Sequence, residues 1–409
     1  MGGKAEQQRI ERLLAGAIVA TVFFLPLSES LKNISFGIGL AAYVIAVLWI
    51  DRCRVTMPSG GSFVLAFMGV VILSALTSAF PRRAWSGVWM AFRYLSFFFI
   101  VNRGIRHRRQ AAAVLSAAVA GTALVSLFAI YRYAIMGVER FSWLSLGYKN
   151  GAAEYLVMVL PLMAGMSVRR DISRRALWAL GTASGASLVA IGLSNSRTAW
   201  LVLIAVALLF FALRRTWVVL PAVGVVLVVV AIVASARPDV ARRVGRLSRP
   251  ETYTVDLGER RAIWRASLQM WWDHPWLGTG PRTFKVDDDL TKDPNRLRYG
   301  IENSIQGAHN LWLHAAAETG SVGLLAMTAW LVEVGRWLFR HRERFRDYPL
   351  QAVWDGAVGA LAVLVLTGVA ESLLGLEHSM YFVALLGILM RPDELTIPGP
   401  ELMKVAKPA

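Results

Sequence analysis

Long apolar runs alternate with short clusters of arginine along this chain, and that pattern decides its class. Apolar segments run near 13–28, 34–50, 63–80, 86–101, 111–136, 152–168, 176–193, 198–213, 216–235, 311–339, 352–370 and 376–390. Each approaches the length that a helix needs to cross the hydrocarbon core, about 20 residues. None shows the period-2 alternation of a barrel strand, and backbone in lipid must satisfy its hydrogen bonds internally, so each segment is predicted to be a helix. The expected fold is an all-α polytopic membrane protein with about twelve transmembrane helices.

Orientation follows from the short loops. With the N-terminus in the cytoplasm, Arg52 and Arg54, the run "NRGIRHRRQ", the run "RRDISRR", the pair Arg214 and Arg215 and the run "RHRERFR" all fall inside. That is the positive-inside pattern, and it makes both termini cytoplasmic. Arg9 and Arg12 precede the first segment, which lacks a small-residue cleavage site and reads as a retained helix. The organisation expected is helices one to nine over 1–235, a large external loop with amphipathic helices over 236–310, helices ten to twelve over 311–390, and a cytoplasmic tail over 391–409.

Composition agrees with this class: the 409 residues are 56% hydrophobic, with a mean hydropathy of +0.49. The net charge of +17 belongs mostly to the cytoplasmic loops, and nothing resembles a nucleic-acid-binding module. The only cysteine, Cys53, falls in a cytoplasmic loop, so no disulfide is expected.

Topology does not account for the arginines of the external loop, where Arg237, Arg242, Arg243, Arg246, Arg249, Arg260, Arg261, Arg265 and Arg282 crowd together. A basic external segment beside a membrane suits an anionic ligand such as a lipid phosphate, or simply anionic headgroups. Within it, Ile263, Trp264, Ser267, Leu268 and Trp271 have helical spacing, and the helix is closed by "DHP" and a glycine-rich turn. Arg260, Arg261 and Arg265 sit in its early turns, and a guanidinium presents a planar fork of donors that matches phosphate oxygens. The "GTG" at 278–280 reads as a tight turn, and "DDD" at 287–289 as a solvated acidic loop in preference to a metal site.

Smaller basic features share the external face: Arg197 in the polar turn "SNSRTAW", and Arg82, Arg83, Arg132 and Arg140 at helix ends. An arginine at membrane depth must pair or snorkel, so each is a functional candidate with snorkelling as the plainer reading. The sharpest chemistry lies in "QGAHNLWLHAAAETGSVGLLAM", where His309 and Asn310 stand at the mouth of an apolar helix. Histidine is the side chain whose ordinary titration range permits proton transfer near neutrality, and a neutral imidazole facing bound phosphate can act as a general base. A helix cap is the plainer alternative, with Asn310 orienting either the imidazole or the substrate. His314 and Glu318 are spaced to bridge each other, and Gly320 and Gly323 to allow close helix packing.

An arginine shortly before Trp264, then P-x-x-G-x-G from Pro275, H-N-x-x-L from His309 and E-x-G-x-x-G from Glu318 resemble the signature of the O-antigen ligase and polymerase superfamily. "SNSRTAW" is similar to its S-R-x-A element, and twelve helices with one dominant external loop resemble the ligase members most, which implies a GT-C-like fold. The resemblance implies transfer of a glycan from undecaprenyl pyrophosphate to a sugar of the lipid A core, at the periplasmic face of the bacterial inner membrane. It implies His309 as general base, with Arg197 and Arg260 holding the pyrophosphate; Arg261 and Arg265 compete with Arg260 for that role. Because pyrophosphate is already a good leaving group, no nucleotide, metal or other cofactor is required. The alternatives are an O-antigen polymerase or a protein O-oligosaccharyltransferase of the same superfamily, and, from a different class, a secondary transporter, against which the absence of an internal repeat counts.

The topology carries its own prediction. In intact cells a cysteine placed at Ser248 should react with a membrane-impermeant thiol reagent, whereas Cys53 should not; labelling at Cys53 alone would invert the arrangement.

Overall fold

A computed structural model describes residues 2–52, 56–136, 144–147, 149–168, 172–194, 196–214, 250–284, 307–371 and 377–391, with isolated positions at 224, 228 and 231. Among these the ordered elements are helical and no strand is formed. The helices are α1 (Gly2–Phe24), α2 (Glu29–Ile45, extended by a π turn over Ala46–Ile50), α3 (Gly61–Leu76), α4 (Pro81–Gly104), α5 (Arg108–Met136), α6 (Lys149–Ser167), α7 (Arg174–Leu193), α8 (Arg197–Arg214), α9 (Pro250–Asp273), α10 (Leu311–Arg340), α11 (Leu350–Thr367) and α12 (Glu377–Leu389). Eleven of them coincide with apolar segments of the sequence, and α9 is the amphipathic helix expected in the long loop. Most of the segment 216–235, most of the basic loop residues, Arg140, "DDD", Cys53, Ser248 and the tail from 392 lie outside the described residues.

Among the described residues six helices are long and apolar enough to cross a membrane: α2 with its π turn, α4, α5, α7, α10 and α11. α3, α8 and α12 are apolar but shorter. α6 and α12 are buried almost all round, and α6 packs along α11, where Gly356 and Gly359 bring the backbone against Leu162 and Pro161. Ile34, Ile38, Leu65, Leu73, Trp178 and Leu208 are exposed on the outer helices, as a surface solvated by lipid requires.

Helix starts follow local chemistry. Ser28 and Ser173 cap α2 and α7 through their hydroxyls, and Pro81 opens α4, where a missing N–H costs nothing. At one end of the bundle Arg103 makes a two-pronged contact to Asp51, at 2.6 and 2.9 Å, so part of the basic cluster assigned to the cytoplasm is held by pairing. At the other end the buried Lys32 on α2 reaches Glu377 at the start of α12, 2.6 Å away.

The feature that places α9 is a break in α10. Gly320 takes φ +66 and ψ −168 inside the helix, which frees backbone groups on both sides. The stretch after α9 inserts there: Thr279 and Gly280 donate to the carbonyls of Ala317 and Glu318 at 3.0 and 2.9 Å, while Ser321 and Val322 donate to the carbonyls of Pro275 and Trp276 at 2.7 and 3.2 Å. The Glu318 carboxylate closes the joint, accepting the N–H groups of Arg282 at 2.7 Å and Phe284 at 3.1 Å. The stripe of α9 that packs inward is Ile263, Ala266, Ser267 and Met270, rotated from the sequence expectation, because Leu268 points outward.

A methyl group on Gly320 would sit 2.2 Å from the Trp276 carbonyl oxygen, in addition to the left-handed strain. Gly320→Ala should therefore destabilise the protein by about 2 kcal/mol or more. Gly185→Ala, on α7 where nothing lies within 4 Å, should be neutral or slightly stabilising. Thermal unfolding of the two variants in detergent checks the contrast, and equal midpoints would refute it.

Candidate active site

The site is built where α10 begins. Asn310 is its N-cap: the backbone is extended, Oδ1 accepts from the Leu313 N–H at 3.0 Å, and Nδ2 donates to the Val369 carbonyl at 3.2 Å. His309 precedes it with φ +45, a region that costs a side chain with a β-carbon on the order of 1 kcal/mol or more. The preceding residue is pinned to pay that cost. Trp264 on α9 donates its indole N–H to the Ala308 carbonyl at 3.1 Å, and the Ala308 N–H reaches His314 Nδ1 at 3.5 Å. His314 Nε2 lies 3.5 Å from Glu318, the bridge that their spacing foretold.

The segment that leaves α11 passes in front of this cap, held residue by residue. Gly368 accepts from the Leu311 N–H at 2.7 Å, Val369 from Asn310, and Ala370 from Arg260 Nη1 at 3.2 Å. Its last described residue, Glu371, turns its N–H back to the Thr367 carbonyl at 2.7 Å. The carboxylate then bridges two helix starts: Oε1 accepts from Asn150 Nδ2 on α6 at 3.1 Å, and Oε2 lies 3.0 Å from His309 Nδ1.

That last contact sets the tautomer. A carboxylate only accepts, so in the neutral imidazole Nδ1 carries the proton and Nε2 keeps its lone pair, on a side chain that is 44% exposed, against 15% for Glu371. An imidazole with a bare nitrogen and a carboxylate behind it can take a proton, and the carboxylate stabilises the imidazolium that forms.

Of the arginines singled out in the sequence, Arg260 lies in this cluster, whereas Arg261 and Arg265 are exposed on α9. Arg197 is the half-buried first residue of α8, following Ser196, whose hydroxyl caps that helix. α8 packs on α6 and α11, and its start lies at the end of the bundle where α6 starts and α11 finishes, since α7 runs back between α6 and α8. Arg132 stacks over the Phe128 ring of its own helix at 5.8 Å, a packing contact away from the cluster.

A family model described as O-antigen ligase matches residues 182–328. The match supports the O-antigen ligase/polymerase superfamily. The family matched is glycosyltransferase-like, and together with the apolar helices it marks a multi-pass membrane protein. No match is found among curated proteins. The span that matches the O-antigen ligase model contains Arg197, Arg260, His309 and both halves of the joint at Gly320, and it stops before α11. Glu371 and Asn150 fall outside it and were not singled out in the sequence. Neither had a local signal beyond a polar residue beside an apolar run. Glu154, one turn beyond Asn150, is a third such residue: it is fully buried and neither carboxyl oxygen has a hydrogen-bond partner.

Both polar atoms of Asn310 are spent on backbone. Asn310→Ala should therefore cost about 1 kcal/mol from the cap and loosen the 368–371 segment as well. Asn310→Asp keeps the cap and loses only the donation to Val369. Thermal unfolding should rank wild type, Asn310→Asp, then Asn310→Ala, and a reversed order of the two variants would contradict the assignment.

Proposed function

We propose that the protein is an O-antigen ligase: it moves a glycan from undecaprenyl pyrophosphate to a sugar of the lipid A core, at the periplasmic face of the bacterial inner membrane. The observation that carries this reading is the His309–Glu371 pair, with Arg260 held on the carbonyl of Ala370, the residue before Glu371. In the reaction His309 Nε2 takes the proton of an acceptor hydroxyl, the oxygen attacks the anomeric carbon, and the bond to the pyrophosphate oxygen breaks. Glu371 holds the imidazole and balances its new charge. Arg260 and Arg197 neutralise the charge that develops on the departing lipid pyrophosphate. A single displacement inverts the anomeric centre, and the good leaving group removes the need for a metal.

The reading includes a topology of about twelve spans. It also places segment 236–310 on the periplasmic side, where the start of α10 meets the acceptor. A polymerase would use similar chemistry on a second lipid-linked chain, and a protein O-oligosaccharyltransferase on a hydroxyl of a polypeptide.

Reconstituted protein given lipid-linked glycan, with lipid A core or without it, tests the assignment. Transfer to lipid A core that persists with a chelator is expected; growth of the lipid-linked chain without acceptor would mark a polymerase. In the same assay His309→Ala should slow transfer by roughly 10² to 10⁴ at saturating substrates. Glu371→Gln, which keeps the size of the side chain, should lower the rate with donor binding unchanged. Arg260→Lys and Arg197→Lys should recover little, because an ammonium cannot present two donors to one phosphate. A normal rate per folded molecule in His309→Ala would remove the general base from the mechanism.

A further inference from the structure

A second cationic point lies across the start of α10 from Arg260, and the mechanism above leaves it unused. Arg282 stands in the loop inserted at the Gly320 break, with a backbone φ of +65. Glu318 takes its N–H, so the strained backbone is fixed and the side chain is thrown toward α4. There the guanidinium makes one hydrogen bond, from Nη1 to Ser86 Oγ at 3.3 Å, and pairs with no carboxylate among the described residues. Both Glu318 oxygens are engaged with backbone N–H groups and His314. A half-buried guanidinium that spends one donor among the described residues keeps the rest of its fork available to an anion.

Beneath Arg282 a cavity of about 110 Å³ opens between α3, α4, α10 and α12. Apart from the polar end at Arg282, His314 and Glu318, its walls are chiefly apolar, among them Phe67, Val71, Ala91 and Trp330. Leu311, two residues after His309, is part of the wall, so the cavity adjoins the proposed base. A cation over an apolar slot between membrane helices is complementary to an amphiphile with an anionic head and a hydrocarbon chain.

We infer that this cavity is the seat of the acceptor: the first methylenes of one acyl chain of a phosphorylated glycolipid enter between α3, α4, α10 and α12, and one of its phosphates rests on Arg282. The inference rests on the ligase reading, in which two lipid-anchored substrates must flank one histidine. Arg197 and Arg260 serve the donor pyrophosphate on the α6 and α8 side, which leaves the α3 and α4 side for the acceptor. The single Ser86 contact then orients the guanidinium without consuming its fork.

Binding of bisphosphorylated lipid A to the full-length protein in nanodiscs, measured without donor, tests this apart from turnover. Arg282→Gln should weaken lipid A binding about tenfold, with Arg282→Lys intermediate. Ala91→Phe, which fills the slot and keeps the arginine, should weaken it comparably. Removal of the lipid A phosphates should abolish the difference between wild type and Arg282→Gln. Binding of undecaprenyl phosphate should be unchanged in both variants, and in the transfer assay the KM for acceptor should rise while that for donor holds. Wild-type affinity for lipid A in Arg282→Gln or in Ala91→Phe overturns the proposal, as does a selective loss of undecaprenyl phosphate binding, which would give the cavity to the donor. Lipid A binding with the expected losses but no transfer would instead count against the ligase reading.

Discussion

Everything at the active end depends on the broken turn of α10 at Gly320. An uninterrupted helix would keep the carbonyls of Ala317 and Glu318 and the N–H groups of Ser321 and Val322 within its own ladder. The left-handed glycine releases them, and the 275–284 stretch satisfies all four with its own backbone. In a low-dielectric setting unsatisfied backbone groups are costly, so the break and the inserted loop stabilise each other or neither forms. Glycines at 278 and 320 are required on both sides because the two backbones touch: a methyl on Gly278 would lie 2.4 Å from the Glu318 carbonyl carbon. The motif spacing that marks the family is therefore the record of one interlocked joint.

The joint transmits position to the chemistry along two routes. Toward α9 it fixes the helix that carries Trp264 and Arg260, and these reach forward to Ala308 and Ala370. Toward α10 it fixes Glu318, which steadies His314 and through it the N–H of Ala308. His309 is thus held from before and after, and its unfavourable backbone angle is the consequence of neighbours that are all engaged elsewhere. In the proposed mechanism an imidazole already aligned on Glu371 spares the reaction the reorganisation that a mobile base would need.

Much of this was legible in the sequence, and the residues that were not share a physical reason. Apolar runs fixed the placement of eleven helices because periodicity and length are local properties. His309 stood out as a titratable residue at the mouth of an apolar helix, and Arg260 as part of an arginine cluster in the early turns of an amphipathic helix. Glu371 and Asn150 gave no such signal: each is an ordinary polar residue at a helix end, and their importance arises from a meeting of α6, α10 and the α11 exit that no local pattern encodes. The choice among Arg260, Arg261 and Arg265 turned on the rotation of α9 about its axis. Spacing suggested a face that included Leu268, whereas the tertiary contacts of Met270 and Ala266 selected another and left Arg261 and Arg265 exposed.

The same end of the bundle concentrates polar groups that a membrane protein buries only at a cost. Lys32 is 1% exposed between Glu29 and Glu377, and Glu154 lies fully buried one turn below Asn150. A buried ion pair contributes little net stability because desolvation offsets the attraction, yet breaking one by removing a partner is expensive. Such pairs therefore enforce register more than they stabilise. Lys32 ties α2 to the first residue of α12. Residues 368–371 are stitched to Asn310 on α10 and Arg260 on α9, and Glu371 also meets Asn150 on α6, so the carboxylate behind the histidine is set by three helices rather than by its own loop.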